Sequence, residues 1–185
     1  MIASTITVPA NERGYALPAR VLHWVTTVTV IGILPVGIYM ANARPGPTQD
    51  LLFHLHRSFG VVLMPIVLAR LIYRFAHPPP PLPKDIPMIQ RGAAHVVHWA
   101  LYALLIVQPI VGWIATSAYR APILVFWAFE LPPIWPVDRA FSESMFLVHR
   151  VLGITIAILA LMHIAAALYH HFVRRDAVLM RMLRA

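Results

Sequence analysis

Ten histidines sit in a chain of 185 residues that is 59% hydrophobic and only 12% charged. Imidazole can bind a metal, carry a proton or hydrogen-bond, and an ionisable side chain inside an apolar span is costly enough that it usually marks a site. His149 and His163 are the informative pair. Their separation of 14 residues turns a helix through about 1400°, some 40° short of whole turns, so both rings leave the same face. The same interval rises about 21 Å, against a hydrocarbon slab of about 30 Å, which puts one ring near each membrane boundary.

Each of these rings needs a partner at its own depth. His23 lies a turn into the first apolar run and pairs with His163, while His56 lies near the start of the second and pairs with His149. His54 competes with His56, yet positions i and i+2 differ by about 200° around a helix, so only one can face inward. Ser58 and Gly60 follow His56 and are small enough to let a flat macrocycle approach the backbone. Two neutral imidazoles closing both axial positions of an iron leave no site for dioxygen, which favours electron transfer over oxygen activation. The spacing therefore points to two haems of the b type, stacked across a membrane. The chain has no cysteine, which removes disulfides, iron–sulfur clusters and covalent c-type attachment together.

A membrane bundle must position these rings. Four stretches are long and apolar enough to span, roughly Val21 to Met40, Leu51 to Tyr73, Ala93 to Ala118 and Met145 to Phe172. The expected fold is an all-α integral membrane protein, a four-transmembrane-helix bundle in one domain over residues 20–185, preceded by a cytoplasmic tail at 1–19. Arg44-Pro45-Gly46-Pro47 separates the first two helices, with Thr48 or Asp50 available as an N-cap. His77 to Pro87 is too rich in proline for a helix and reads as a stiff extended connector. Between helices 3 and 4, Tyr119 to Ser144 carries Phe126, Trp127, Phe129 and Trp135, and reads as a short amphipathic periplasmic segment, expected as a helix lying over the outer end. Pro35, Pro65 and Pro109 fall inside helices 1 to 3, where kinks are expected.

The formal charge of +8 does not call for nucleic acid, because the basic residues follow the positive-inside rule. With a cytoplasmic N-terminus, ten of the 15 lie on the inner side and Arg44, Arg57, Arg120, Arg139 and Arg150 on the outer. Both termini are thus expected in the cytoplasm of a bacterial inner membrane, with lipid as the surrounding partner.

Further candidates surround the four rings. His95 and His98 share a face at the inner end of helix 3, near the level of His170 and His171. They read either as simple interfacial residues or as a quinone site, where imidazoles hydrogen-bond the carbonyls and supply protons. Arg57 and Arg150 each follow a proposed outer ligand and could pair with haem propionates or draw a small anion to the outer haem edge.

The motifs R-V-L-H-W around His23, H-R-S-F-G from His56, G-A-A-H-V-V-H-W around His98 and M-H-I-A-A-A-L-Y-H-H-F from Met162 resemble the prokaryotic cytochrome b561 family, and within it the superoxide oxidase group. The resemblance runs from about Arg20 to the C-terminus. It implies that His23, His56, His149 and His163 match the haem ligands and that His98 and His170 match positions associated with quinone. It also implies electron flow from superoxide outside, through two haems, to ubiquinone near the inner side. The outer loop departs from the family pattern in its proline and tryptophan content.

Three function classes follow. The first is a superoxide:ubiquinone oxidoreductase. The second is a membrane cytochrome b subunit relaying electrons between quinone and a periplasmic dehydrogenase or hydrogenase partner. The third is a histidine-lined carrier of zinc, copper or nickel, which the lack of acidic residues in the spans disfavours.

Overall fold

The computed structural model describes residues 14–81 and 85–184. Four long helices account for most of it: α1 (Leu17–Asn42), α2 (Pro47–Ala76), α3 (Met88–Tyr119) and α4 (Arg139–Tyr169). The fourth continues into a π-helical turn (His170–Arg174), and the chain ends in a short α5 (Met180–Leu183). Each of the four is long and apolar enough to cross a membrane. The shortest, at 26 residues, measures about 39 Å against a slab of about 30 Å.

The helices are longer than the apolar runs because their ends use local signals. Pro18 falls in the first turn of α1 and Pro47 in that of α2, where a missing N–H costs nothing. Gly46, at φ 149°, stands at the N-cap of α2 in place of Thr48 or Asp50, and neither of those side chains caps it. Gln49 instead turns its amide to the carbonyls of Met40 and Ala43 and ties the end of α1 to the start of α2. Asp138 starts α4 six residues before Met145 by accepting a hydrogen bond from the Phe141 amide at 2.9 Å. Of the segment read as a cytoplasmic tail, residues 1–13 lie outside the described residues, and α1 already begins at Leu17. Within the proline-rich connector, Leu82, Pro83 and Lys84 also lie outside them.

The loop after α3 is not the expected helix. It forms an antiparallel hairpin, β1 (Ile123–Val125) with β2 (Phe129–Leu131), in which Val125 pairs with Phe129 and Ile123 with Leu131. The β-branched residues Ile123 and Val125 point to one buried side, and Pro122, Pro132 and Pro133 exclude a helix at both edges. Phe126 and Trp127 form the turn at φ 45° and 60°, with Ala128 N–H bonded to the Val125 carbonyl. Left-handed backbone costs a non-glycine residue about 1–2 kcal/mol, so tertiary contacts must hold this turn. Phe126 meets Phe59 edge-on at 5.1 Å and Trp127 lies against His54 at 3.9 Å. The buried hydroxyl of Ser58 accepts from the Phe126 amide and donates towards the carbonyls of His54 and Leu124.

Helix α1 packs chiefly on α2, and α3 on α4, with α2 against α3 joining the two pairs and β1 resting on α2. The buried apolar core is a narrow belt of Val30, Leu63, Val67, Tyr102, Leu105 and Ile156. Large apolar side chains elsewhere along the helices are exposed, as lipid-facing surfaces are. At the end opposite the hairpin the tail closes on α1: Tyr15 N–H donates to the Arg181 carbonyl, Trp24 to that of Met182 and Arg20 to that of Leu183.

Candidate functional site

Each of the four helices repeats one interval. His23, Val30 and Gly37 on α1, His56, Leu63 and Arg70 on α2, His98, Leu105 and Gly112 on α3, and His149, Ile156 and His163 on α4 are all spaced by seven residues. The middle member of each set belongs to the buried belt. A seven-residue repeat keeps one seam of a helix facing its neighbours in a left-handed bundle. The outer members of the sets form two levels, one at the hairpin end and one at the tail end, with the belt between them.

At the hairpin end, the rings of His56 and His149 lie 6.1 Å apart, centroid to centroid, with planes crossed at 76°. Each rests on a glycine of the adjacent helix. A Cβ on Gly37 would stand 2.8 Å from His56 Cε1, and one on Gly112 would stand 2.9 Å from His149 Cε1. His149 Nδ1 lies 3.1 Å from the Gln108 carbonyl, which only accepts, so Nδ1 carries the hydrogen and Nε2 is bare. The Gln108 side chain returns a bond to the His149 carbonyl at 2.9 Å. His54 faces away from this pair, onto Trp127. Ser58 serves the hairpin, and the glycines on which the two rings rest are Gly37 and Gly112. The 14-residue interval from His23 to Gly37 and from His98 to Gly112 was the signal for them.

At the tail end, His23 and His163 lie 6.2 Å apart with planes crossed at 73°. Here the neighbours are polar. Arg70 reaches His23 Nδ1 at 2.8 Å and spreads over the Tyr102 ring at 5.0 Å. His98 lies 5.0 Å from His163, whereas His95, expected on the same face, is exposed.

His170 sits in the π-helical turn, where its Nδ1 meets Asp176 Oδ2 at 2.5 Å. Arg175 at φ 56° reverses the chain there, and the Asp176 amide bonds back to the His170 carbonyl. Burial alone would raise the Asp176 carboxyl, but hydrogen bonds from His170, the Val178 amide and Arg174 hold it below the usual carboxylate range. Arg174 also pairs with Asp85 of the connector at 2.9 Å. Asp176 was not singled out from sequence, because its reach back to His170 depends on the π turn. Arg57 donates to the Pro122 carbonyl at 3.1 Å and so braces the hairpin, while Arg150 is exposed.

Paired imidazoles at fixed separation suit a metal carried in a flat macrocycle. A metal–imidazole bond of about 2.0–2.1 Å, with the nitrogen about 1.1 Å from its ring centroid, would place two rings on opposite sides of one metal about 6.2–6.4 Å apart. The pairs stand at 6.2 and 6.1 Å, close to that distance. The profile for prokaryotic cytochrome b561 matches residues 14–185, the whole of this arrangement. The chain belongs to the prokaryotic cytochrome b561 family. This cytochrome is 34% identical over 174 residues to cytochrome b561 homolog 2 of Escherichia coli (strain K12), covering 91% of the chain and 90% of the relative. It is 30% identical over 163 residues to a probable superoxide oxidase, CybB, of Yersinia pestis, covering 88% and 91%. Cytochrome b561 homolog 1 of Escherichia coli is 26% identical over 164 residues, covering 88% and 92%. The chain is therefore a four-span bacterial membrane protein of a haem-b electron-transfer family.

Proposed function

We propose that this cytochrome carries electrons across the membrane through two b haems, oxidising superoxide at the periplasmic side and reducing ubiquinone at the inner side. His56 and His149 would hold one haem at the hairpin end, and His23 and His163 the other at the tail end. The observation that carries the reading is the equal spacing of the two imidazole pairs, each near the value that two axial ligands require. Bound there, each haem would supply a one-electron iron couple.

The protein's own groups do the rest. Gly37 and Gly112 admit the hairpin-end rings, and Gln108 fixes the tautomer that leaves His149 Nε2 free. The positive-inside distribution supports a periplasmic hairpin and cytoplasmic termini. His98 and His170 are proposed to serve the quinone by donating hydrogen bonds and protons. His98 lies beside His163, and His170 is oriented by Asp176. The overall balance is two superoxide anions giving up one electron each, and one quinone taking up two electrons and two protons.

Purified protein should hold two haems per chain and reduce a ubiquinone analogue when supplied with superoxide; no rate above the uncatalysed background rejects the activity. Replacing His56 or His149 should remove one haem and spare the other, and equal loss of both undoes the pairing. The relay-subunit reading draws support from the hairpin, where Trp127 is 62% and Phe129 56% exposed, a surface on which a periplasmic dehydrogenase or hydrogenase could dock. Co-purification of a stoichiometric redox partner, with no activity by the cytochrome alone, would favour it.

A further inference from the structure

At the tail end of α1, outside the electron path, Leu17, Val21 and Val25 follow one another at four-residue intervals and form one stripe along the helix. Met182 and Leu183 of the tail stand beside that stripe, and with Arg20 and Trp24 they wall an open groove of about 270 Å³. The polar tips of the walls are held in place. Trp24 donates its indole N–H to the Met182 carbonyl at 3.2 Å, and Arg20 donates to that of Leu183 at 3.1 Å. The stripe itself is open to the surroundings of the protein, with Leu17 64%, Val21 50% and Val25 43% exposed.

Depth decides what can lie there. The two histidine levels on α4 are about 21 Å apart, so in a slab of about 30 Å the tail-end level lies about 5 Å inside the boundary. His23 is at that level, facing His163. Arg20 is three residues nearer the end of α1, about 4.5 Å, and so stands at the boundary, with Leu17 as far again beyond it and Val25 within the hydrocarbon. The groove therefore runs about 12 Å, from headgroups into acyl chains. Among the described residues, Arg20 is the one charged side chain bordering it, and none of the ion pairs joins Arg20 to a carboxylate. A guanidinium carries five N–H donors in a fork that matches phosphate, and the bond to Leu183 uses one of them.

We propose that this groove binds one anionic phospholipid, with its phosphate on Arg20 and one acyl chain along Val21 and Val25. Arg184 follows Leu183 in the chain and is exposed, so a headgroup that brings its own cation meets a second positive charge. Because Met182 and Leu183 form the far wall, the bound lipid also fastens the tail to α1. The site stands on the depth of α1 in the bilayer and needs neither haem. Under the orientation proposed above it belongs to the cytoplasmic leaflet.

Native mass spectrometry of the purified protein counts the lipid. Titrated with phosphatidylglycerol and with phosphatidylcholine of the same chains, the protein should retain one phosphatidylglycerol with a preference of at least about fivefold, the effect of one cation at a charged surface. Arg20→Gln should erase that preference, and Arg44→Gln, beyond the other end of α1, should keep it. Val21→Phe fills the groove without touching the Arg20 bond to Leu183, and should lower retention of both lipids. Hydrogen exchange in vesicles ties the count to this place. Amides of residues 180–184 should exchange more slowly in phosphatidylglycerol than in phosphatidylcholine in the native protein, and equally in both in Val21→Phe. Equal retention of the two lipids by the native protein overturns the proposal, as does a preference that survives Arg20→Gln or tail exchange indifferent to the lipid. Displacement of phosphatidylglycerol by added ubiquinone overturns it too, and assigns the groove to the quinone. Haem per chain is read from the same mass spectra, so failure of the two-haem reading is seen separately.

Discussion

Replacing Gly112 with alanine puts a methyl group where α3 touches the His149 ring. The new Cβ would stand 2.9 Å from Cε1 and 3.2 Å from Nδ1, against 3.4–4 Å for ordinary contact, so the two groups overlap by about half an ångström. The ring has little room to withdraw, because its Nδ1 is bonded to the Gln108 carbonyl and its other side faces His56 across 6.1 Å. Overpacking of this kind costs about 1–3 kcal/mol. At about 1.4 kcal/mol per factor of ten, that is about a 5- to 140-fold loss of affinity for the haem assigned to this level. Gly37→Ala presses on His56 from the opposite pair of helices at 2.8 Å and should act on the same haem. Gly32, with nothing within 4 Å of its added Cβ, is the control. Its alanine variant should keep both haems and gain about 0.5–1 kcal/mol of helix stability. Haem per chain and the reduced-minus-oxidised spectrum report the result. Full occupancy in Gly112→Ala at limiting haem, with an unchanged spectrum, would show that the glycine is not there to admit the ring.

Two further outcomes follow from the hairpin and the tail. Ser58→Ala takes from the Phe126 N–H its hydroxyl acceptor, at a cost of about 0.5–1.5 kcal/mol, in a turn that already holds two left-handed residues. Hydrogen exchange across residues 123–131 should quicken while α2 stays protected, and native protection there would refute the staple. At the tail, the folded Asp176 carboxyl lies below its ordinary 3.8, so its contribution is present above that pH and is lost as the pH falls through the folded value. Exchange in residues 170–180 should therefore rise on acidification below about pH 4, and protection unchanged to about pH 2 would refute it.

The parts legible in the sequence were those carried by long periodic patterns. Four apolar runs gave the four helices, and the interval from His149 to His163 gave a two-level bundle, because rotation and rise along a helix follow from residue number alone. The parts that were not legible depend on what one element meets. Ile123 to Val125 is apolar enough for either a helix or a strand; the flanking prolines and the Ser58 anchor on a different helix decide for the hairpin. Gly37 and Gly112 look like ordinary helix glycines until the neighbouring imidazole is placed on them. Ser58 was read as a small residue beside the macrocycle, but its hydroxyl serves the hairpin. Asp138 and Asp176 gained their meaning from a helix start and a π turn whose positions the apolar pattern does not mark.

The dry belt of Val30, Leu63, Leu105 and Ile156 separates the two histidine levels. On α4 these lie 14 residues apart, about 21 Å of a slab about 30 Å thick, so a charge passing between them crosses about 70% of the transmembrane voltage. Under the proposed direction the travelling charge is negative and moves toward a cell interior that is itself negative. A full crossing costs about 2.3 kcal/mol per 100 mV, and this share of it about 1.6 kcal/mol. An energised membrane thus brakes the relay and a discharged one releases it.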